Sequence, residues 1–249
     1  MKFGIADYGM NVWYGGLYDT TQRLVDLKQV GYDGIERLEA ASPSEAISKA
    51  IEFKRLGMDF TTCRGPTIES SIKWTAALGK PYVWAQSPAR DFETFCRQVN
   101  DQVKAAAVFG VRVGLHNHLG SPVETQAQVE DFLERCPGCG LVLDTGHLAA
   151  AGGDVLAVAR KYLARLLVIH VKDWKSNGTA APANNPKWYE CGYFTTLGQG
   201  NIGQDNAAVL KAVKAGGFDG WTFVEHDTHL QDPLIDLAES RAYLKNAGC

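Results

Sequence analysis

No part of the sequence holds the roughly 18 consecutive apolar residues that a membrane-spanning helix needs, so the chain is not expected to enter a bilayer. It also lacks a strong charge of either sign. The formal charge is -3 at pH 7 and the pI is near 6.1, which argues against nucleic acid or an anionic membrane as the main partner. Cysteine is too sparse for a disulfide framework: six residues in 249, irregularly placed, fit reduced thiols. Residues 1–7 run straight into an apolar strand pattern without a basic segment and cleavage site, so a soluble cytoplasmic protein is the expectation. Low-complexity segments and linkers are missing too, and residues 1–249 read as one domain.

Histidine is scarce as well, and its placement is informative. All six histidines lie in, or just past, four segments at 111–118, 141–147, 166–173 and 221–227. Each of these begins as a short apolar run that suits a strand covered on both faces and ends in polar side chains. Leu141, Val142 and Leu143, for example, lead into Asp144 and His147. Further strand patterns occupy 2–6, 35–39, 58–63 and 80–86. Helical patterns fall at 19–30, 44–56, 67–78, 92–109, 124–135, 155–164, 206–215 and 233–245. Eight alternating units predict a parallel sheet closed into a (β/α)8 TIM barrel, with a doubly wound open sheet as the alternative. Residues 7–18 read as a loop. Residues 174–203, rich in Asn, Pro and aromatics, form a connection long enough to be a substrate cover or a meeting surface for a second subunit. Cys136 and Cys139 are separated by Pro137 and Gly138, the spacing of a redox pair. They end a helical pattern instead of starting one, which favours a structural role.

In a barrel the C-terminal strand ends converge on one site. His116, Asp144, His170 and Glu225 then form a mixed nitrogen and oxygen donor set suited to Mn, Zn, Co, Fe or Mg. His118 can stand in for His116 as the ligand. The competing reading makes Asp144 and Glu225 ion-pair partners of Lys172 or Arg64. A dication that polarises a carbonyl makes the adjacent C–H acidic and stabilises an enediolate, the intermediate of isomerisation, epimerisation and β-elimination. Glu36, His147, Lys172 and Glu225 are the candidates for proton transfer. Arg64, His118 and Trp174 are the expected substrate contacts.

The motifs that carry this chemistry resemble those of the xylose isomerase-like TIM barrels, the sugar phosphate isomerases/epimerases. The resemblance rests on Gly31-Tyr32-Asp33-Gly34-Ile35-Glu36, His116-Asn117-His118, Asp144-Thr145-Gly146-His147, His170-Val171-Lys172-Asp173, Leu197-Gly198-Gln199-Gly200 and Glu225. It implies a divalent metal, commonly Mn2+, held by Asp144, His170 and Glu225 with a fourth ligand from strand five, and it implies keto-sugar, polyol or cyclitol substrates. Ketose 3-epimerases of this family carry a glutamate on strand five, where this chain has His116. The His-x-His pattern looks more like inosose dehydratases and keto-sugar lyases. Endonuclease IV-type repair enzymes share the fold, but their three-metal cluster needs more His and Glu ligands than this chain offers.

The expectation is therefore a metal-dependent isomerase or epimerase of a small sugar. A lyase or dehydratase is the alternative, and a non-catalytic sugar-binding or partner-subunit barrel is a third reading. A homo-oligomer or partner subunit fits the aromatic loop. No P-loop pattern is present, which favours an unphosphorylated substrate.

Overall fold

A computed structural model describes residues 1–249. The chain forms β1 (Lys2–Ala6), α1 (Tyr8–Tyr14), α2 (Thr20–Val30), β2 (Gly34–Ile35), β3 (Arg37–Glu39), α3 (Pro43–Arg55), β4 (Thr62–Arg64), α4 (Ile68–Ala77), β5 (Tyr82–Trp84) and α5 (Phe92–Ala107). It continues through β6 (Arg112–His116), α6 (Gln126–Arg135), β7 (Gly140–Asp144), α7 (Thr145–Ala150), α8 (Val155–Lys161) and β8 (Leu166–Val171). The last elements are β9 (Asp173–Ser176), β10 (Gly192–Thr195), α9 (Asn206–Ala215), β11 (Trp221–Glu225) and α10 (Pro233–Asn246).

Seven strands form one curled parallel sheet in the order β2-β1-β11-β8-β7-β6-β5. β3 carries the second strand position onward past Glu36 and pairs in parallel with β4, and a bridge from Gly34 to Asp59 joins the same segments lower down. β4 packs beside β5 without a ladder, which completes the circle. Most helices start on an acid or hydroxyl cap: Asp19, Ser42, Thr67, Asp91, Thr125, Asp154, Asp205 and Asp232 each accept a backbone N–H of the first turn.

The period of two along each strand decides what faces inward. Ala6, Tyr82, Val142, Val168 and Phe223 form a small cluster separate from the larger layer under the helices, to which Ile5, Leu141, Leu143, Ile169 and Val224 belong. His116, Asp144, His170 and Glu225 have the inward parity. Each lies two residues from Gly114, Val142, Val168 or Phe223, so the strands that fill the barrel also aim four polar groups at its upper end. Gly4 makes room for this packing, because a Cβ there would lie 2.7 Å from the Phe223 ring.

Three expectations need correction. Residues 7–18 contain the helix α1, whose pattern is hidden in sequence by Gly9, Gly15 and Gly16. The second strand is interrupted at Glu36, and the third and fourth are only three residues each. Residues 174–203 are built partly as an antiparallel hairpin of β9 and β10, pairing Asp173 with Thr195, and α7 adds a further short helix directly after β7.

Candidate metal centre

Asp144 shows how the sequence builds the site. It ends β7 and caps α7: Oδ1 accepts the His147 N–H at 2.8 Å, while Oδ2 turns inward, 3.2 Å from His116 Nε2. Its backbone is clamped by buried Asn117, whose amide accepts from Asp144 N at 2.9 Å and donates to Asp144 O at 3.0 Å. Thr145 receives the Lys172 N–H at 3.1 Å and donates to Asn206 at 2.6 Å, and Asn206 donates to Lys172 O at 2.8 Å. Gly146 lets α7 lie against β8, since a Cβ there would sit 2.3 Å from Lys172 Cβ. Asp173, just past the end of β8, accepts the Gly198 N–H at 2.7 Å and the Gly200 N–H at 3.3 Å, tying the return of the hairpin to the barrel.

His116, Asp144, His170 and Glu225 bring one donor atom each within 4.8 Å of one another. His170 Nδ1 faces this group, 2.6 Å from Glu225 Oε2, and its Nε2 faces Glu36 Oε2 at 3.1 Å, close but not aligned as a hydrogen bond. His118 lies outside the four. It is grouped with His147 and Asp227 instead. Its Nδ1–H donates to Leu119 O at 2.5 Å, leaving Nε2 with a lone pair.

Glu36 was expected at the reacting centre, and the structure places it behind His170 instead. It is fully buried, and its Oε1 receives the Tyr82 hydroxyl at 2.6 Å and Trp84 Nε1–H at 2.8 Å. Lys172 and His147 are likewise fully buried. Lys172 Nζ lies 3.3 Å from Asp144, 3.3 Å from Glu225 and 3.1 Å from Asp227. His147 Nδ1 accepts the Leu119 N–H at 3.3 Å, and its Nε2 lies 3.0 Å from Lys172 Nζ and 3.3 Å from Asp227. Arg64 is half exposed and pairs with Glu39 at 3.3 Å. Trp174 is buried against Cys191 and Phe194 at the root of the hairpin.

A cavity of about 460 Å³ opens above the donors, lined among others by His118, Trp174, Trp188, Glu225 and Asp227. Asp227, Arg37 and Trp84 went unrecognised in the sequence, while Trp188 belongs to the aromatic connection expected to cover the substrate. Asp227 had the visible signal, two residues past Glu225 on the same strand parity.

Charge explains why a cation suits this place. Burial alone would hold His170 neutral, but the charges of Glu36 and Glu225 outweigh it and raise its pKa to about 10. Burial pulls His116 below its ordinary value, and burial with the Lys172 charge takes His147 down to about 3. Burial also disfavours charge on Asp144, Glu225 and Asp227, but Lys172 together with the neighbouring histidines outweighs it and their pKa values fall. Three carboxylates therefore converge on Lys172, Glu36 adds a fourth behind His170, and a proton on His170 meets part of the deficit. Two imidazoles and two carboxylates are the donor chemistry of Mn, Zn, Co or Mg sites, so the residues fit a dication. Glu36 behind His170 is the outer carboxylate that metal-ligating histidines normally have.

A parallel barrel with such donors at its C-terminal strand ends defines a TIM-barrel protein with a candidate metal centre. The chain belongs to the xylose isomerase-like TIM barrel family, whose sequence model matches residues 67–247. Rhizopine catabolism protein MocC of Rhizobium meliloti is 32% identical over 151 residues, covering 57% of this chain and 44% of that protein. An inosose dehydratase of Lactiplantibacillus plantarum is 26% identical over 224 residues, covering 86% of this chain and 71% of the enzyme. The IOLI protein, solved with a bound zinc atom, superposes with a TM-score of 0.69 at 17% identity over 100% of this chain and 96% of its own. No helix is long and apolar enough to cross a membrane.

Proposed function

We propose that the chain is a divalent-metal-dependent enzyme that isomerises or epimerises a small keto-sugar, polyol or cyclitol. The observation that carries this reading is the set of four donor atoms within 4.8 Å of one another, with His116 and Glu225 of the four lining the cavity. Mn2+ is the cation the motifs imply, and the zinc in the IOLI protein supports a dication of this class. Bound there, the cation would polarise a substrate carbonyl and make the neighbouring C–H acidic.

The side chains divide the remaining work. Glu225 Oε2 faces the donor cluster, while Oε1 has no partner in the protein and Glu225 lines the cavity, so Oε1 is the base that takes the proton. Lys172 stays charged, because Asp144, Asp227 and Glu225 outweigh its burial and raise its pKa. It acts by fixing Asp227 and offsetting negative charge, not by accepting a proton. His118 Nε2 is free to accept from a substrate hydroxyl. Six free thiols, five of them buried, favour a reducing compartment such as the cytoplasm.

A second reading, elimination of water or another β-leaving group, is favoured by His116 in place of a strand-five glutamate and by relatives named inosose dehydratase. Turnover of keto-sugars and inososes in D2O separates the two. Deuterium in a product of unchanged composition means isomerisation or epimerisation, and a product lighter by water or an aglycone means elimination. Absence of both, with metal bound, refutes catalysis and leaves a binding barrel.

A further inference from the structure

A second cavity, about 690 Å³, adjoins the first and shares Arg37, Arg64, Trp84, His116 and His118 with it. Its wall contains Arg37, Arg64 and Arg90 but no Asp or Glu. Arg37 is the unusual group. Its guanidinium lies 4.3 Å over the Trp84 ring, and Trp84 also packs against His116, with ring centroids 4.4 Å apart. Arg37 makes no hydrogen bond or ion pair within the protein. The carboxylates whose charges reach it already have nearer cations: Asp7 has Arg23 at 2.8 Å, Glu39 has Arg64 at 3.3 Å, Glu36 has His170 at 3.1 Å, and Glu225 has His170 at 2.6 Å and Lys172 at 3.3 Å. Arg37 is partly exposed and lines both cavities, so its five donors are placed to meet a bound acceptor. The capped start of α4, at Thr67 and Ile68, lines the same space and adds a field of the same sign.

We propose that the substrate carries an anionic oxygen group, a carboxylate or a phosphate, which Arg37 holds through its planar fork while Arg64 adds a second positive charge. The keto-polyol end of the same molecule then reaches the donor cluster next to Trp84. This rests on the reading of the cluster as the reacting centre and specifies the substrate of that centre. A guanidinium stacked on an aromatic ring and presenting parallel N–H groups suits a bidentate oxyanion better than a scatter of neutral hydroxyls.

The test is equilibrium binding of D-fructose, D-fructuronate and D-fructose 6-phosphate by calorimetry to the Mn2+-loaded protein. At least one anion should bind about tenfold or more tightly than D-fructose, as charge-assisted hydrogen bonds predict. Arg37→Gln should largely abolish that ratio, Arg37→Lys should keep part of it, and Arg64→Gln, at a half-exposed position that should tolerate the change, should reduce it and its salt dependence. Preference for fructuronate identifies a carboxylate, and preference for fructose 6-phosphate identifies a phosphate. Equal affinities, no binding of either anion, or a ratio unchanged in both Arg37→Gln and Arg64→Gln overturns the proposal. Failure of the metal-centre reading is separately visible, as wild type that takes up no Mn2+; the anion ratio, being a binding measurement, still reports on Arg37.

Discussion

Replacing Glu36 by Gln changes one atom and asks whether the buried carboxylate serves the metal centre through His170. Glu36 Oε1 holds the Tyr82 hydroxyl at 2.6 Å and Trp84 Nε1–H at 2.8 Å, and Oε2 lies 3.1 Å from His170 Nε2. For His170 to offer its Nδ1 lone pair to a cation, the ring proton must sit on Nε2, where Oε2 can receive it. A glutamine that keeps Tyr82 and Trp84 on its oxygen turns its NH2 toward His170 Nε2 and sets donor against donor. The favoured remedy moves the ring proton to Nδ1, which removes the ligand. A flipped amide restores His170 but opposes Trp84 Nε1–H instead. Loss of such an outer partner costs about 10- to 100-fold in metal affinity, or roughly 1.4 to 2.8 kcal/mol. Competition of Glu36→Gln and wild type against a chromophoric chelator near neutral pH measures it, with circular dichroism confirming the fold. A folded Glu36→Gln protein that holds metal as tightly as wild type would refute the role given to Glu36.

Other outcomes follow from the same geometry. In the metal-free protein His170 has a folded pKa of about 10, above its unfolded value of about 6.5. Its contribution to stability is therefore complete below about pH 6.5 and lost as the pH rises through 10, so metal-free melting temperatures should fall over that window, and a flat profile would contradict the charged ring. Because a cation displaces that proton, metal affinity should rise with pH across the same range, which calorimetry in buffers of different ionisation enthalpy detects as proton release. Gly146→Ala should cost about 1 to 3 kcal/mol in urea unfolding, because its Cβ would meet Lys172 Cβ at 2.3 Å; wild-type stability would show that α7 is free to move. Burial raises the Cys136 and Cys139 thiols to about 12, so a thiol reagent should modify at most partly exposed Cys249 before unfolding, and rapid labelling of the Cys136/Cys139 pair would revive a redox role.

The donor set was legible in the sequence because a covered parallel strand is almost wholly apolar, so polar residues at its end stand out. Asp144, His170 and Glu225 each close such a run, and strict alternation then placed them at one end of a barrel. Direction was much less legible. Glu36 also ends an apolar pair, but the interruption of its strand and the Tyr82 and Trp84 donors that capture it belong to other strands. Lys172 and His170 share a strand face, yet only packing against Asp227 and Phe194 shows that the ammonium is sealed beneath the cavity. Arg37 and Trp84 are single residues on short strands, with no pattern around them, and their stacking is purely tertiary. The helix at Tyr8–Tyr14 and the hairpin within 174–203 were obscured by glycine, asparagine and proline, whose local preferences are overridden by contacts with the barrel rim.

The central claim is that His116, Asp144, His170 and Glu225 hold one dication. Elemental analysis of wild type beside Asp144→Asn and Glu225→Gln, each after incubation with Mn2+ and desalting, tests it most directly. About one equivalent is expected in wild type, with a large loss in both variants and the fold retained. Wild type that stays metal-free, or variants that keep the full equivalent, would contradict it.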